Sequence, residues 1–204
     1  RLYFGFESSG LGYPSIVFKE GQVKEILSGN NLRNDDNAQE AFVQLCNSTV
    51  RLLGEKYRFD QPVPRFFNAT VCNHYDELPA AIKEYVARVA DHKAFDNDQL
   101  TRALTEAINE NGHQGWLVSV ERMDLKILNE SEKNYSCPNC SRIHFHGSAG
   151  ICTHCLANLT ENPNGSTAKN IRANHYYANK TSKNRPRIRL HCEELTGQTD
   201  DQPQ

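Results

Sequence analysis

The spacing of four cysteines is the feature that most restricts how this chain can fold. Cys137, Cys140, Cys152 and Cys155 form two Cys-x-x-Cys pairs, 11 residues apart, in the segment "YSCPNCSRIHFHGSAGICTHC". Each pair is typical of a tight knuckle, and two knuckles can surround one tetrahedral ion. The segment has few large apolar side chains, so a bound metal would supply its folding free energy, on the order of 10 kcal/mol. We expect a zinc-ribbon-like module with these four ligands and zinc as the cofactor.

Three histidines near the cysteines leave other ligand sets open. His144 and His146 lie between the pairs, and His154 lies inside the second pair. Any of them could replace a cysteine, and an iron–sulfur cluster can also use four cysteines. Two symmetrical pairs favour zinc held by four sulfurs, with His154 pointing away and the other histidines at the surface or behind the ligands. Because four sulfurs leave no open coordination position, a structural role is favoured over hydrolysis at the metal.

The cysteine count and the absence of a long apolar run favour a cytoplasmic protein. Seven cysteines, four of them in paired spacing, fit metal ligands better than a secreted disulfide framework. Cys46, Cys72 and Cys192 are expected to be buried free thiols. No apolar run approaches the ~18 residues that span a bilayer, and the N-terminal residues lack the pattern of a secretion signal. We therefore expect no membrane partner.

Apolar periodicity predicts three helices in the first part of the chain. Apolar residues recur at helical spacing from about Asp36 to Tyr57. A second helix is expected to start near Leu78-Pro79, because proline is favoured in the first turn. A third is expected from about Asp98 to Asn111, with Gly112 as its stop. These helices carry no catalytic pattern and are expected to be core elements.

Shorter patterns predict β-structure and loops around them. The run "SIVFKEGQVKEIL" reads as a hairpin turning at Glu20-Gly21, and "GWLVSVERMDLKIL" alternates as one or two strands. A short strand is expected from Arg142 to His146. Residues 158–184 are polar and are interpreted as a loop or linker, and a further strand is expected after Pro186.

Together these patterns predict an α+β fold with a helical N-terminal part, short β-strands and the four-cysteine module. The expected domains are 1–114, mostly helical; 115–160, strands and the metal module; and 161–204, a basic linker, a strand and a polar tail.

The charge is unevenly distributed along the chain. Residues 1–132 carry 14 Lys/Arg against 20 Asp/Glu, whereas residues 133–192 carry nine against a single Glu161. Such segregation bears on partners rather than on the fold. Interleaved bases and aromatic residues suit a nucleic-acid strand, because cations displace counterions from phosphates and rings stack on bases. The candidate contacts are Tyr176, Tyr177, Lys180, Lys183, Arg185, Arg187 and Arg189.

Common catalytic motifs are missing from the chain. It contains no Gly-x-x-x-x-Gly-Lys-Ser/Thr phosphate loop, Gly-x-Ser-x-Gly elbow, His-Glu-x-x-His or dinucleotide fingerprint. The sequence therefore shows no machinery for ATP hydrolysis and leaves open whether the chain is part of an enzyme.

The order of the motifs resembles a segment of bacterial superfamily-two DEAD/DEAH-box DNA helicases of the phage-defence-island type. The resemblance covers about residues 115–201: the strand region "WLVSVERMDLKIL", the two cysteine knuckles and the stretch "RIRLHCEELTGQTDD". In that family a similar stretch lies at the entrance to the second RecA-like lobe. The resemblance implies that the four cysteines bind zinc, that DNA and the motor lobes or other subunits of the machine are partners, and that ATP binding and antiviral defence belong to the parent protein.

Three functional hypotheses follow. The first is a zinc-binding accessory region of a DNA helicase-like protein that contacts nucleic acid. The second is a zinc-stabilised protein–protein interaction module whose acidic helical half is the working surface. The third is a metalloenzyme that uses His144 or His146.

Overall fold

A computed structural model of the chain describes residues 5–60, 70–175 and 178. Within these residues six α-helices and two small antiparallel sheets are present, consistent with the predicted α+β class. The α-helices are α1 (Gly5–Ser8), α2 (Gln22–Gly29), α3 (Asp36–Glu55), α4 (Ala80–Lys93), α5 (Asn97–Glu110) and α6 (Ala168–Asn174). The strands are β1 (Gly12–Ser15), β2 (Asp124–Ile127), β3 (Tyr135–Ser136) and β4 (Ile143–His144). No helix in this described part of the chain has the length and apolarity of a membrane span.

The main core lies between α2, α3, α4 and α5. The three helices expected from periodicity are confirmed, and side-chain caps mark the starts of two of them, α3 and α5. The Asp35 carboxylate accepts a hydrogen bond from Ala38 N at the start of α3, and Asp96 does the same for Gln99 N at the start of α5. Each of these helices places its apolar stripe on the shared core, as amphipathic helices do.

The expected hairpin around Glu20-Gly21 is wrong, because its second half is the helix α2. Ile26 and Leu27 are buried and Val23 packs beside them, which is helical rather than alternating spacing. Gly21 precedes α2 in a left-handed conformation, with φ of 77°. The first half forms no strand either, since the residues after Ser15 are irregular.

The partner of β1 lies more than 100 residues away in the chain. β1 pairs antiparallel with β2, with Gly12 opposite Ile127 and Ser15 opposite Asp124. Of the expected strand region, only β2 is a strand. Trp116 ends a 3₁₀ turn, Gln114–Trp116, Val118 forms a single β-bridge with Phe59, and the remaining residues before β2 are turns or irregular. The predicted alternation fails there, since Trp116 and Val118 are buried but Val120 is partly exposed.

The main core continues past the helices into the cysteine segment. Trp116, Val118, Ala149 and Ile151 are buried in the same apolar cluster as α2 to α5. A second, smaller cluster joins the β1–β2 sheet to this segment and to α6, through Tyr13, Leu128, Phe145 and Ala168. The division into 1–114, 115–160 and 161–204 remains a prediction.

The expected linker at 158–184 is partly wrong, because α6 lies within it. Thr167 caps the helix by accepting a hydrogen bond from Asn170 N. Arg172 fastens α6 to the sheet: its guanidinium donates to Gly10 O at 2.7 Å and to Leu128 O at 2.5 Å. The chain therefore enters its basic C-terminal part from an anchored helix.

Candidate metal centre

The four cysteine sulfurs lie close enough to hold one metal ion. Their Sγ atoms all lie within 4.8 Å of one another. Sγ of Cys137 is 3.5 Å from that of Cys155, and Sγ of Cys140 is 3.7 Å from that of Cys152. With Zn–S bonds of about 2.3 Å, a regular tetrahedron has sulfur–sulfur edges of about 3.8 Å. The donor set is therefore compatible with zinc.

Two equivalent loops present these sulfurs. Cys137 N donates to Arg142 O and Cys152 N donates to Ala157 O, both at 2.9 Å, so each loop is closed by a bond from the first cysteine to the fifth residue after it. In each loop the residue before the first cysteine also pairs antiparallel with a residue just after the loop. These pairs are Ser136 with Ile143 and Ile151 with Asn158. The two Cys-x-x-Cys loops therefore have the same pattern of backbone hydrogen bonds.

Both loops turn through a left-handed residue just after the second cysteine. Ser141 has φ of 59° and Leu156 has φ of 60°. A left-handed conformation costs a non-glycine residue roughly 1–2 kcal/mol. The two positions differ in their surroundings, since Ser141 is exposed and Leu156 packs against the main core.

Replacing each of these two residues by glycine is expected to give opposite results. Ser141→Gly should raise the free energy of unfolding by up to about 1 kcal/mol, because glycine removes the strain at an exposed site. Leu156→Gly should lower the free energy of unfolding, because the loss of apolar packing outweighs the removal of the same backbone strain. Urea unfolding of the two variants at matched metal content measures both effects. Destabilisation by Ser141→Gly would contradict the strain argument.

His144 lies directly behind one ligand. Its Nε2 is 3.4 Å from Cys152 Sγ, and its Nδ1 is 3.4 Å from Nη1 of Arg51. A guanidinium can only donate, so Nδ1 accepts and the ring proton is on Nε2, directed at the sulfur. Burial, with Arg51 nearby, lowers the pKa of His144 to about 2 and keeps the ring neutral. His144 thus supports a ligand, as metal sites commonly require.

The other two histidines do not join the sulfur group. His146 is buried, its Nδ1 accepts a hydrogen bond from Ser148 N, and its ring lies 4.9 Å from that of Tyr13 between centroids. Burial lowers its pKa to about 3. His154 is exposed, and its backbone N–H rather than its ring faces Cys152 Sγ. Among the described residues, the four cysteines are the only group of three or more Cys, His, Asp or Glu side chains that lie close enough together to hold a metal ion.

The thiols differ in acidity according to their surroundings. Burial raises the pKa of Cys152 to about 12. At Cys155 burial acts in the same direction, but hydrogen bonds, first among them one with the Asn139 side chain, lower its pKa to about 6. Cys155 is therefore the sulfur that is already ionised near neutral pH, the state in which a thiol binds metal.

A buried ion pair lies under the first loop. Arg51, near the C-terminal end of α3, pairs with Glu7 of α1, and their side chains are only 5% and 1% exposed. Glu7 Oε1 also accepts a hydrogen bond from Phe145 N at 2.6 Å, beside β4. Glu55 contacts Arg51 and Arg142, which extends the network to the loop itself. Burial raises the pKa of Glu7, while Arg51 opposes that shift.

The turn between the two loops inserts into the helical core. Tyr85 of α4 donates to Ser148 O at 3.0 Å, and Ser48 Oγ of α3 lies 2.8 Å from Ser148 Oγ. Gln44 Oε1 accepts from Ala149 N at 2.9 Å. These bonds satisfy a buried stretch of backbone, as buried polar groups require. The second cysteine pair follows directly from this anchored turn.

The candidate nucleic-acid contacts Tyr176, Tyr177, Lys180, Lys183, Arg185, Arg187 and Arg189 lie outside the described residues, as does the stretch from Arg187 to Asp201 that carries part of the resemblance. Comparison with protein-family models, with curated proteins and with solved structures found no match.

Proposed function

We propose that the protein is a zinc-binding accessory region of a DNA helicase-like protein, in which a zinc-ribbon-like module holds a basic region against nucleic acid. The observation that carries the proposal is the group of four cysteine sulfurs, which all lie within 4.8 Å of one another, with two of the distances at 3.5 and 3.7 Å. Zinc is favoured over an iron–sulfur cluster because the two Cys-x-x-Cys loops are equivalent.

A structural role for the metal is supported by its surroundings. Four sulfurs saturate zinc, and two of them, on Cys137 and Cys152, belong to buried residues. His144 donates to a ligand and His146 hydrogen-bonds the backbone, so neither is placed as a general base at an open metal position. The metalloenzyme hypothesis therefore has no geometric support.

Contact with nucleic acid is supported by charge and by the anchoring of α6. The balance of nine bases to one acid in residues 133–192 suits a polyanion. Arg172 fixes α6 to the β1–β2 sheet, and the basic residues from Lys180 to Arg189 follow it in the chain. The helicase and anti-phage parts of the proposal rest on the resemblance of residues 115–201.

Binding to single-stranded DNA is expected to weaken steeply with salt. Each phosphate contact adds roughly 0.7 to the slope of log affinity against log salt concentration for a single strand, since counterions are released. Replacing Arg185, Arg187 and Arg189 together by glutamine should therefore reduce the slope by about 2. Fluorescence anisotropy between 50 and 200 mM salt would measure this slope for the wild type and for the triple variant.

The matched control removes the same charge from the helical half. Lys19, Lys24 and Lys56 are exposed there, and their replacement by glutamine should leave the slope unchanged. Equal effects of the two triple variants would indicate non-specific attraction. Salt-insensitive binding, or none, would refute the nucleic-acid proposal and favour the protein–protein interaction module.

A further inference from the structure

The strand β2 has an open edge. Among the described residues β2 pairs with β1 alone, in a sheet of two strands. Three of its four residues, Asp124, Lys126 and Ile127, are exposed, and Ile127 is 67% exposed. An open strand edge presents unpaired backbone N–H and C=O groups to another chain. The outer edge of β2 is therefore a candidate interaction surface.

The register of the sheet determines which backbone groups of β2 point outwards. Hydrogen-bonded and non-hydrogen-bonded pairs alternate along an antiparallel ladder. Leu128 N donates to Leu11 O at 3.1 Å, so Leu128 and every second residue before it direct their backbone groups at β1. Pro14, which lies opposite Leu125 and has no N–H, agrees with this alternation. The backbone groups of Leu125 and Ile127 therefore point away from β1, towards the open edge.

The side chains of β2 alternate between the two faces of the sheet. Lys126 Nζ lies 5.7 Å from the centroid of the Tyr13 ring, which places Lys126 and Asp124 on the face that carries Tyr13. Leu125 and Ile127 lie on the opposite face. The edge thus has an acid and a base two residues apart on one face and two apolar residues on the other.

A two-fold axis through Leu125 makes this edge complementary to itself. Leu125 then lies opposite Leu125 of a second copy, and the two residues can exchange both of their backbone hydrogen bonds. Asp124 lies opposite Lys126 of the second copy, and the symmetry forms this pair twice. Ile127 lies diagonally beside Leu125 of the second copy, within reach of an apolar contact. Opposite charges and apolar pairs on neighbouring strands stabilise a sheet.

The other two-fold registers are less favourable. An axis through Lys126 places this lysine opposite its own copy, and an axis through Asp124 does the same for the acid. Like charges directly opposite each other destabilise a strand pair. An axis through Ile127 places Leu125 opposite Asn129, whose backbone N–H is already hydrogen-bonded within the chain. The charge pattern therefore favours the register centred on Leu125.

We propose that the protein forms a two-fold dimer through the outer edge of β2, with Leu125 on the axis. Both copies use the same surface, as in other two-fold interfaces. The pairing joins two sheets of two strands into one and covers the open edges. The occupant of the edge is a second copy rather than a peptide of another protein, because the charges of the edge complement each other across the axis. This dimer does not depend on nucleic-acid binding.

Two charge variants test the register. Asp124→Lys makes both edge charges positive, and Lys126→Asp makes both negative. Each variant should repel its own copy and lower the association constant of the zinc form about tenfold or more, measured by sedimentation equilibrium. An equimolar mixture of the two variants should associate as the wild type does, because every acid then lies opposite a base. Lys19→Asp changes an exposed lysine outside the edge and, as the matched control, should dimerise like the wild type.

Amide hydrogen exchange gives an independent readout of the same edge. The Leu125 amide of the wild type should exchange more slowly at high than at low protein concentration, whereas the Leu128 amide, bonded to Leu11 O, should be protected at both. A wild type that stays monomeric at about 1 mM protein would overturn the proposal. Charge variants that both dimerise like the wild type, or a mixture that associates no better than either variant alone, would also overturn it.

Discussion

Removal of zinc by a strong chelator is expected to abolish the protection of backbone amides from hydrogen exchange throughout the first cysteine loop, residues 135–143. Without the metal, a two-residue strand pair, a small apolar cluster around Cys137, Cys152 and Leu159, and a few contacts at the edges of the loop remain to hold it. These edge contacts are the Arg142–Glu55 ion pair and the hydrogen bonds between Asn164 and Ser136. Structural zinc sites of this type contribute on the order of 10 kcal/mol to folding. The amides of residues 148–151 should keep most of their protection, because Ser148, Ala149 and Ile151 are buried in the helical core.

Elemental analysis should give one zinc per chain, falling to near zero in Cys152→Ser. The matched control is Cys46→Ala, which removes a buried thiol of α3 that lies outside the metal group. This control should lose some stability but bind one zinc. A metal-free preparation that retains its protection at residues 135–143 would refute the structural role of the metal.

Replacing Arg51 by methionine is expected to lower the free energy of unfolding by about 3–5 kcal/mol near pH 7.5. The substitution keeps the apolar stem but leaves the Glu7 carboxylate buried without its partner, the costly outcome for a broken buried pair. Urea unfolding would measure the loss. Arg33→Met is the control, since the Arg33–Asp35 pair is about half exposed and such pairs contribute at most about 1 kcal/mol.

The loss caused by Arg51→Met should depend on pH in a definite direction. Without Arg51, burial raises the pKa of Glu7 further, so the folded state binds a proton more tightly than the unfolded state does. Stability is then retained at low pH and lost as the pH rises above the unfolded value of about 4.3. The difference from wild type should shrink at pH 5.5.

A second variant separates the buried charge from the lost contacts. Adding Glu7→Gln to Arg51→Met should restore part of the stability, because the amide removes the buried charge and can still accept from Phe145 N. A loss that is independent of pH and is not relieved by Glu7→Gln would show that the arginine acts through packing alone.

Local patterns predicted the parts of the fold that local interactions determine. α3, α4 and α5 carry apolar stripes long enough to identify, and Asp35 caps α3 directly before Asp36, where the helical spacing was expected to begin. The four cysteines were likewise predictable, because their spacing is set by the loop that each pair forms. The expected hairpin was wrong because so short a run does not distinguish a helix from a strand. In α2 the inward-facing side chains are spaced as Val23 and Ile26 are, with two polar residues between them, and only their packing on the main core shows that this spacing is helical.

Contacts between distant segments were not predictable from one sequence. The pairing of β1 with β2 and the contact of Glu7 with Arg51 depend on residues far apart in the chain. One signal was available: Arg51 stands in the apolar run "TVRLLG" of a predicted core helix, where a charge needs a buried partner.

The anchored turn between the two cysteine loops has a consequence for the order of metal capture. Ser148 is tied to α3 and α4 by buried hydroxyl contacts, so the helical core holds the start of the second cysteine pair before any ion arrives. An incoming ion would therefore bind the second pair first as a bidentate chelate, and the first pair would close over it. Folding of the helices orders two of the four ligands, so metal binding itself carries a smaller entropic cost. The affinity for the metal should therefore depend on the stability of the helical half of the chain.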